Sequence, residues 1–270
     1  MSKAYNMSNL ELQNITDSKI VILPVGSLEQ HGNHLPVSTD SIIAEYLAEN
    51  VAKKIDAVSL PVLTFGISFE HEPMFNVSLT HQTFSLVIKD VCKSVLKFGF
   101  KDVIILNSHH GNMGALHYVA QDLNNDYFNN NNNENKTSTR GKFSQPFKKD
   151  RAINFINYWH LMEKFDHGGE IETSLILAIK PELVKLDKIK HGTNHFDMEI
   201  IEREMKKSKE LKVAYSSAMN IPGSFQKITG SGIWGDPFKS SSEKGKKLLE
   251  DLVFKIEKTI SDLKKIKGNN

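Results

Sequence analysis

Residues 23–40, LPVGSLEQHGNHLPVSTD, join an apolar run to a segment rich in side chains that bind metals or transfer protons. The run 20–25 ends at Gly26 and predicts a buried strand. The polar candidates that follow are Glu29, His31, His34 and Asp40. Alternate side chains of an extended segment point to opposite faces, so we expect Glu29 and His31 to share one face. The stretch therefore predicts a metal or acid–base site directly after a strand.

The composition is that of an ordinary globular protein. Of 270 residues, 39% are hydrophobic and 24% charged, and the net charge of +2 gives no reason to expect nucleic acid. Cys92 is the single cysteine and cannot form an internal disulfide, so we interpret it as a core residue. We find neither an apolar segment of roughly 20 residues nor a signal-peptide pattern. We therefore expect a cytoplasmic protein with no membrane partner.

Short apolar runs alternate with helical patterns along the chain, which is typical of strands and crossover helices in a parallel-rich sheet. The predicted strands are residues 20–25, 57–63, 102–107 and 152–159. One predicted helix begins near residue 41, and three others cover residues 84–96, 170–180 and 248–263. An asparagine-rich stretch at about 124–145 predicts a surface insertion without chemistry. We therefore predict one α/β domain over residues 1–270, with a central sheet flanked by helices.

Two further loops carry candidate residues. His109 and His110 directly follow the run 102–107, and ligands in open α/β sheets bind at the carboxyl ends of the strands. The loop after the second predicted strand carries His71, which is either a surface residue or part of a pocket wall. If the strands are parallel, these histidines lie at the same edge as Glu29 and His31.

Three acidic residues near the starts of predicted helices can each be interpreted in two ways. Asp40 either caps the helix that follows it or serves the site. Glu170 and Glu172 lie next to His167, where a loop enters a helix, and they either complement the helix dipole or bind a ligand. The sequence alone leaves these alternatives open.

The candidates together form a mixed carboxylate and imidazole set: Glu29, His31, Asp40, His109 and one glutamate of the 170/172 pair. Such a set suits zinc, manganese or iron(II) rather than calcium or magnesium. Five ligands are too many for one catalytic ion with an open position, so we predict two divalent ions bridged by a carboxylate. A metal-bound hydroxide is then the expected nucleophile, and His167 is the expected proton carrier.

Four sequence blocks resemble the signature blocks of the creatininase (creatinine amidohydrolase) family, in the same order: GSLEQHGNHLPVSTD, NSHHGN, HGGEIETSLIL and GIWGDPFKSSSEKG. The resemblance implies an α/β domain, a binuclear metal centre that usually holds zinc with zinc, manganese or iron, and a homo-oligomer, commonly a hexamer. The matched metal ligands are Glu29, His31, Asp40 and His109, with Asp40 as the bridge. His167 matches the catalytic histidine and Trp159 a tryptophan of the substrate pocket; His71 and His110 are our other substrate-binding candidates.

The chain departs from creatininase itself at several positions. Gly111 stands where creatininase has a metal-binding glutamate, so the second ion requires Glu172, with Glu170 as the weaker substitute. Residues 162–165 lack the second pocket tryptophan, and residues 75–78 read FNVS in place of a sequence close to FPGT. The substrate contacts are therefore the most altered part of the site.

These features predict an amidohydrolase that cleaves a C–N amide bond in a small cyclic or formylated substrate, and not in creatinine itself. One alternative is a deformylase that acts on a formylaminopyrimidine ribotide in flavin or deazaflavin synthesis. Its phosphorylated substrate requires a basic pocket, and the first three blocks contain no lysine or arginine. An alternative of another class is a metal-binding α/β protein without catalysis, which the glycine at position 111 favours.

Overall fold

The computed structural model describes residues 2–131, 152–189, 208–218 and 221–268. Its central sheet has the order β2-β1-β3-β4, and all pairs are parallel. The strands are β1 (Val21–Val25), β2 (Val58–Ser59), β3 (Asp102–Asn107) and β4 (Ala152–Asn157). The helices are α1 (Asn9–Gln13), α2 (Thr39–Lys54), α3 (His81–Phe98), α4 (Met113–Asn131), α5 (Glu170–Ile179), α6 (Lys209–Ala218), α7 (Ser224–Thr229) and α8 (Ser242–Gly268). The predicted α/β class is confirmed.

Strand β3 runs through the middle of the core because both of its faces are apolar. Ile104 and Leu106 pack into a cluster with α2, α5 and α8 on one side of the sheet. Val103 and Ile105 pack with α3 and α4 on the other side. A parallel strand covered on both faces reads as a continuous apolar run, which is why the sequence identifies this strand without error.

The second predicted strand is shorter than expected. Regular pairing covers only Val58–Ser59, and contact with β1 resumes at an isolated bridge between Val25 and Leu63. The N–H of Leu60 donates to the carbonyl of Ile22 and that of Leu63 to the carbonyl of Pro24, so this segment has one residue more than β1 between the two bonds, and the resulting bulge accounts for the interruption. The fourth predicted strand likewise ends at Asn157, where a 3₁₀ turn begins.

The predicted insertion at 124–145 is wrong at its start, because α4 continues to Asn131. Asn124 anchors this part of the helix: its side chain donates to the carbonyl of Ile153 over 2.7 Å and accepts from the same residue's N–H over 2.9 Å. Residues 132–145 lie outside the described residues. Cys92 is buried as predicted, and burial raises the pKa of its thiol to about 12. Within the described ranges, no helix is long and apolar enough to cross a membrane.

The close contact between α5 and α8 predicts that substitution of two helical glycines by alanine has different effects on stability. A Cβ atom at Gly245 would lie 1.8 Å from the carbonyl oxygen of Ser174, whereas one at Gly114 would have no neighbour within 4 Å. We expect Gly245→Ala to destabilise the fold by about 1–3 kcal/mol through overpacking. The control Gly114→Ala should be neutral or stabilising by up to ~1 kcal/mol. Urea unfolding midpoints measure both effects, and equal stabilities of the two variants would contradict this packing argument.

Candidate metal centre and substrate cavity

The candidate residues meet at the carboxyl edge of the sheet, where β1 and β3 end side by side with Val25 opposite Asn107. Asn112 holds the loops of this edge together from a fully buried position. Its side-chain oxygen accepts from the N–H of Ile67 over 3.0 Å, and its amide donates to the carbonyl of Gly26 over 2.9 Å. The loops after three segments distant in sequence are thereby fixed relative to one another.

Asp40 lies at the centre of the site and does not cap α2. The helix begins at Thr39, so Asp40 is inside its first turn, 1% exposed. Its Oδ1 is 3.2 Å from Nε2 of His31, and its Oδ2 is 2.9 Å from Nδ1 of His109. Ser27 also donates its hydroxyl to Oδ2 over 2.7 Å. The two carboxylate oxygens therefore face two different imidazoles.

Two groups of potential ligands share Asp40. One is Glu29, Asp40 and His109; the other is His31, Asp40 and Glu172; within each group the ligand atoms lie within 4.8 Å of one another. A third group, Glu29, His31 and His167, overlaps both. His34 belongs to none of the three, because its Nε2 pairs with the hydroxyl of Thr173 at 2.9 Å.

The two histidines that face Asp40 each direct one ring nitrogen to a backbone carbonyl. Nδ1 of His31 lies 3.1 Å from the carbonyl oxygen of Glu29, and Nε2 of His109 lies 2.7 Å from that of Ile67. Since a carbonyl can only accept, the proton is on the nitrogen that faces it, and the other nitrogen presents a lone pair to Asp40. A lone pair opposite a carboxylate oxygen requires a cation between them, either a proton or a metal ion.

The electrostatics of the site favour such a cation. Burial opposes charge on His31, but the carboxylates of Asp40 and Glu172 raise its pKa to about 10. The pKa of His109 is likewise raised, against burial, by Glu29 and Asp40. Both oxygens of Glu29 are buried without a hydrogen bond of good geometry. This donor set of carboxylates and imidazoles fits a divalent transition metal, and the sharing of Asp40 fits a bridge.

The structure separates the two glutamates of α5. Glu172 is 4% exposed and turns into the site, with Oε2 3.5 Å from Nε2 of His31 and 2.7 Å from the N–H of Gly168. Burial raises the pKa of Glu172 to about 8. Glu170 points the other way and pairs with Lys244 of α8. Glu172 therefore belongs to a group of potential ligands, and Glu170 faces away from it.

His167 lies beside the ligand groups with one nitrogen available. Its Nε2 is 2.9 Å from the carbonyl oxygen of Gln30, which assigns the ring proton to that nitrogen. Its Nδ1 then faces Glu29 at 3.8 Å as an acceptor. Burial, together with the neighbouring imidazoles of His31 and His71, lowers the pKa of His167 well below its usual value. The imidazole is consequently neutral near pH 7 and able to take a proton at Nδ1.

His71 is 2% exposed, so its interpretation as a surface residue is wrong. Its ring stacks on His167 with centroids 4.8 Å apart and packs against Phe225 at 4.6 Å. Its Nε2 lies 3.1 Å from Oε1 of Glu29. The side chain therefore adjoins the candidate metal centre directly.

A cavity of about 460 Å³ opens above these residues. The three predicted substrate-binding residues, His71, His110 and Trp159, all line it. The ring of His110 stacks on Phe165, with centroids 6.2 Å apart, and burial lowers the pKa of His110. The cavity therefore has mainly aromatic walls above an ionic floor.

Sequence reasoning missed two carboxylates of this cavity, Glu70 and Asp166. Asp166 accepts from the N–H groups of Ile171 and Glu172 over 2.7 and 3.1 Å, and so holds the first turn of α5. Burial raises its pKa to about 6. An aspartate shortly before a helix is a capping signal that could have been recognised. Nothing in the local sequence around Glu70 indicates its place.

Comparisons with known proteins place the whole chain among creatininase-like proteins. The family model "Creatininase: Creatinine amidohydrolase" matches residues 5–260. The creatinine amidohydrolase of Pseudomonas putida is 25% identical over 63% of this chain and 68% of its own length. The mycofactocin precursor peptide peptidase of Mycolicibacterium smegmatis is 26% identical over 87% of this chain and 81% of its own length. A solved structure, "Creatininase Mn", has a TM-score of 0.70 at 21% identity and covers 97% of this chain and 98% of its own.

Because both ligand groups contain Asp40, we predict that the variant Asp40→Ala loses all bound metal. In Asp40→Ala both ligand groups lose a carboxylate oxygen, so we expect the divalent metal content of the purified chain to fall to background. Elemental mass spectrometry on protein prepared without chelator measures this. Retention of two tightly bound ions in the variant would remove Asp40 from the bridging role.

The opposite orientations of the α5 glutamates predict a matched pair of variants. Glu172→Gln removes a charged ligand from one group only. We therefore expect it to lower the metal content by one ion per chain, or to lower the affinity for that ion by about 10–100-fold or more. Glu170→Gln, which affects only the contact with Lys244, should leave the metal content unchanged. Equal metal loss in both variants would contradict the assignment of Glu172.

Proposed function

The chain belongs to the creatininase family, and from that membership we propose that it is a metal-dependent amidohydrolase that cleaves a C–N amide bond of a small cyclic amide or formamide. The observation that carries the proposal is the pair of ligand groups that share Asp40 beneath a cavity of about 460 Å³. That volume suits a small molecule, and the cavity floor brings carboxylates, imidazoles and a neutral histidine together.

We infer that the ligands are Glu29, Asp40 and His109 for one ion, and His31, Asp40 and Glu172 for the other. Zinc is the first expectation from the donor set, with manganese or iron(II) as alternatives. Such ions, when bound, polarise an amide carbonyl and lower the pKa of a water molecule. The protein's own part is to hold the ligands: Ser27 fixes Asp40, and backbone carbonyls fix both histidine rings.

His167 is suited to move the proton that hydrolysis requires. Amide hydrolysis adds the oxygen of water to the carbonyl carbon and transfers a proton to the leaving nitrogen. The neutral Nδ1 of His167 can accept that proton, because Nε2 is already committed to the carbonyl of Gln30. Protonated His167 can then donate to the leaving nitrogen.

The deformylase alternative is less well supported. Among the described residues that line the cavity there is no lysine or arginine, and a ribotide phosphate would normally require one. The non-catalytic alternative is also less well supported, because a cluster of buried charges is costly to retain without a function. From the family resemblance we further propose that the chain forms a homo-oligomer, with a hexamer as the expected size. From the sequence pattern of residues 1–14 and the lack of a long apolar segment we propose a cytoplasmic location.

The function is tested by a screen of formamides and small cyclic amides on protein loaded with zinc, manganese or iron(II). Release of amine or opening of the ring is measured by mass spectrometry. Absence of turnover with every member of the set, in protein that holds its metal, would support the non-catalytic alternative.

If His167 carries the proton, its removal should slow hydrolysis without changing the metal content. In His167→Ala we expect hydrolysis to slow by roughly 10²–10⁴-fold while both ions remain bound. The control His117→Ala changes an exposed histidine of α4 and should match the wild type in both respects. If His167→Ala loses an ion, the residue is a ligand, as the third ligand group would allow.

A further inference from the structure

Glu70 enters the cavity from a short 3₁₀ turn, Phe69–His71, and lies over Gly111. A Cβ atom at Gly111 would be 3.1 Å from Oε1 of Glu70 and only 2.1 Å from the carbonyl oxygen of Ile67. The backbone therefore excludes a side chain at position 111. The space beside Gly111 is filled by a carboxylate from a different loop, and this carboxylate faces the cavity.

The other cavity carboxylates already have assigned contacts. Glu29, Asp40 and Glu172 belong to the ligand groups, and the oxygens of Asp166 accept from two backbone N–H groups at the start of α5. Glu70 belongs to no ligand group found among the described residues. It is therefore the carboxylate best placed to meet the part of a substrate that does not react.

The aromatic residues that line the cavity favour a cation, as the Glu70 carboxylate does. Six phenylalanine, tyrosine and tryptophan rings line the cavity: Phe69, Tyr158, Trp159, Phe165, Phe225 and Trp234. Aromatic faces attract cations, and a carboxylate forms charge-assisted hydrogen bonds with amine, amidine or guanidine N–H groups. Within the described lining no lysine or arginine offsets this preference.

We propose that Glu70 is a substrate-binding residue that selects amides carrying a cationic group, such as a protonated amine or an amidinium, at the end remote from the scissile bond. This inference rests on the proposed function, since it assigns the substrate class of the same cavity. A glycine at position 111 suits this arrangement, because a side chain there would clash with the carbonyl oxygen of Ile67 and with His109, and would crowd the Glu70 carboxylate.

The test uses ligand binding and does not depend on turnover. Both tryptophans of the chain, Trp159 and Trp234, line the cavity, so intrinsic fluorescence reports its occupancy. Benzamidinium and benzamide have nearly the same shape and differ in charge, and benzoate supplies the opposite charge. Each is titrated into metal-loaded wild type, Glu70→Gln and the control Glu72→Gln, in the same buffer at one fixed pH. Glu72 is exposed and lies outside the cavity.

We expect benzamidinium to bind wild type and Glu72→Gln about tenfold or more tightly than benzamide, as one partly desolvated ion pair with aromatic contacts allows. In Glu70→Gln this preference should disappear while the metal content stays unchanged. The proposal is overturned if wild type prefers benzamide or benzoate, if Glu70→Gln keeps the preference, or if that variant loses metal. Charge selection in a chain that hydrolyses no amide would support the role of Glu70 and reject the proposed function.

Discussion

The structure depends on a single buried carboxylate that is held between two imidazoles. Asp40 is almost inaccessible to water, and each of its oxygens faces a histidine whose other ring nitrogen donates to a backbone carbonyl. An ion removed from water costs several kcal/mol unless it is compensated by charge and hydrogen bonds. Without metal, raised pKa values on His31 and His109 supply the compensation. The same arrangement with a metal ion in place of each proton is a ready coordination site.

Much of this arrangement could be predicted from the sequence because it follows strand ends. The continuous apolar run of β3 identified a strand covered on both faces, and parallel pairing with β1 placed His109 opposite the loop of Glu29 and His31. Glu29 and His31 lie in one group of potential ligands, as alternation predicts, but Gln30 does not point away, since its side chain contacts His71 and His167. Hydrophobic periodicity is a property of the local sequence, so it can be recognised before the fold is known.

Other parts of the site could not be predicted, because they depend on contacts between distant segments. Whether Asp40 caps α2 or serves the site is decided by His31, His109 and Ser27, not by its own neighbours in sequence. Glu170 and Glu172 are two positions apart on one helix, and the helical rotation between them sends one to Lys244 and the other to His31. Glu70 approaches Gly111 from a loop whose sequence gives no indication of this contact.

The packing of α8 has a consequence for both ligand groups. Asp40 lies on α2 and Glu172 on α5, and both of these helices pack against α8, Ser242–Gly268. A change in the packing of α8 therefore reaches both groups through Asp40, and the second group also through Glu172. A helix that contributes no residue to either group thus helps to set the distances within both.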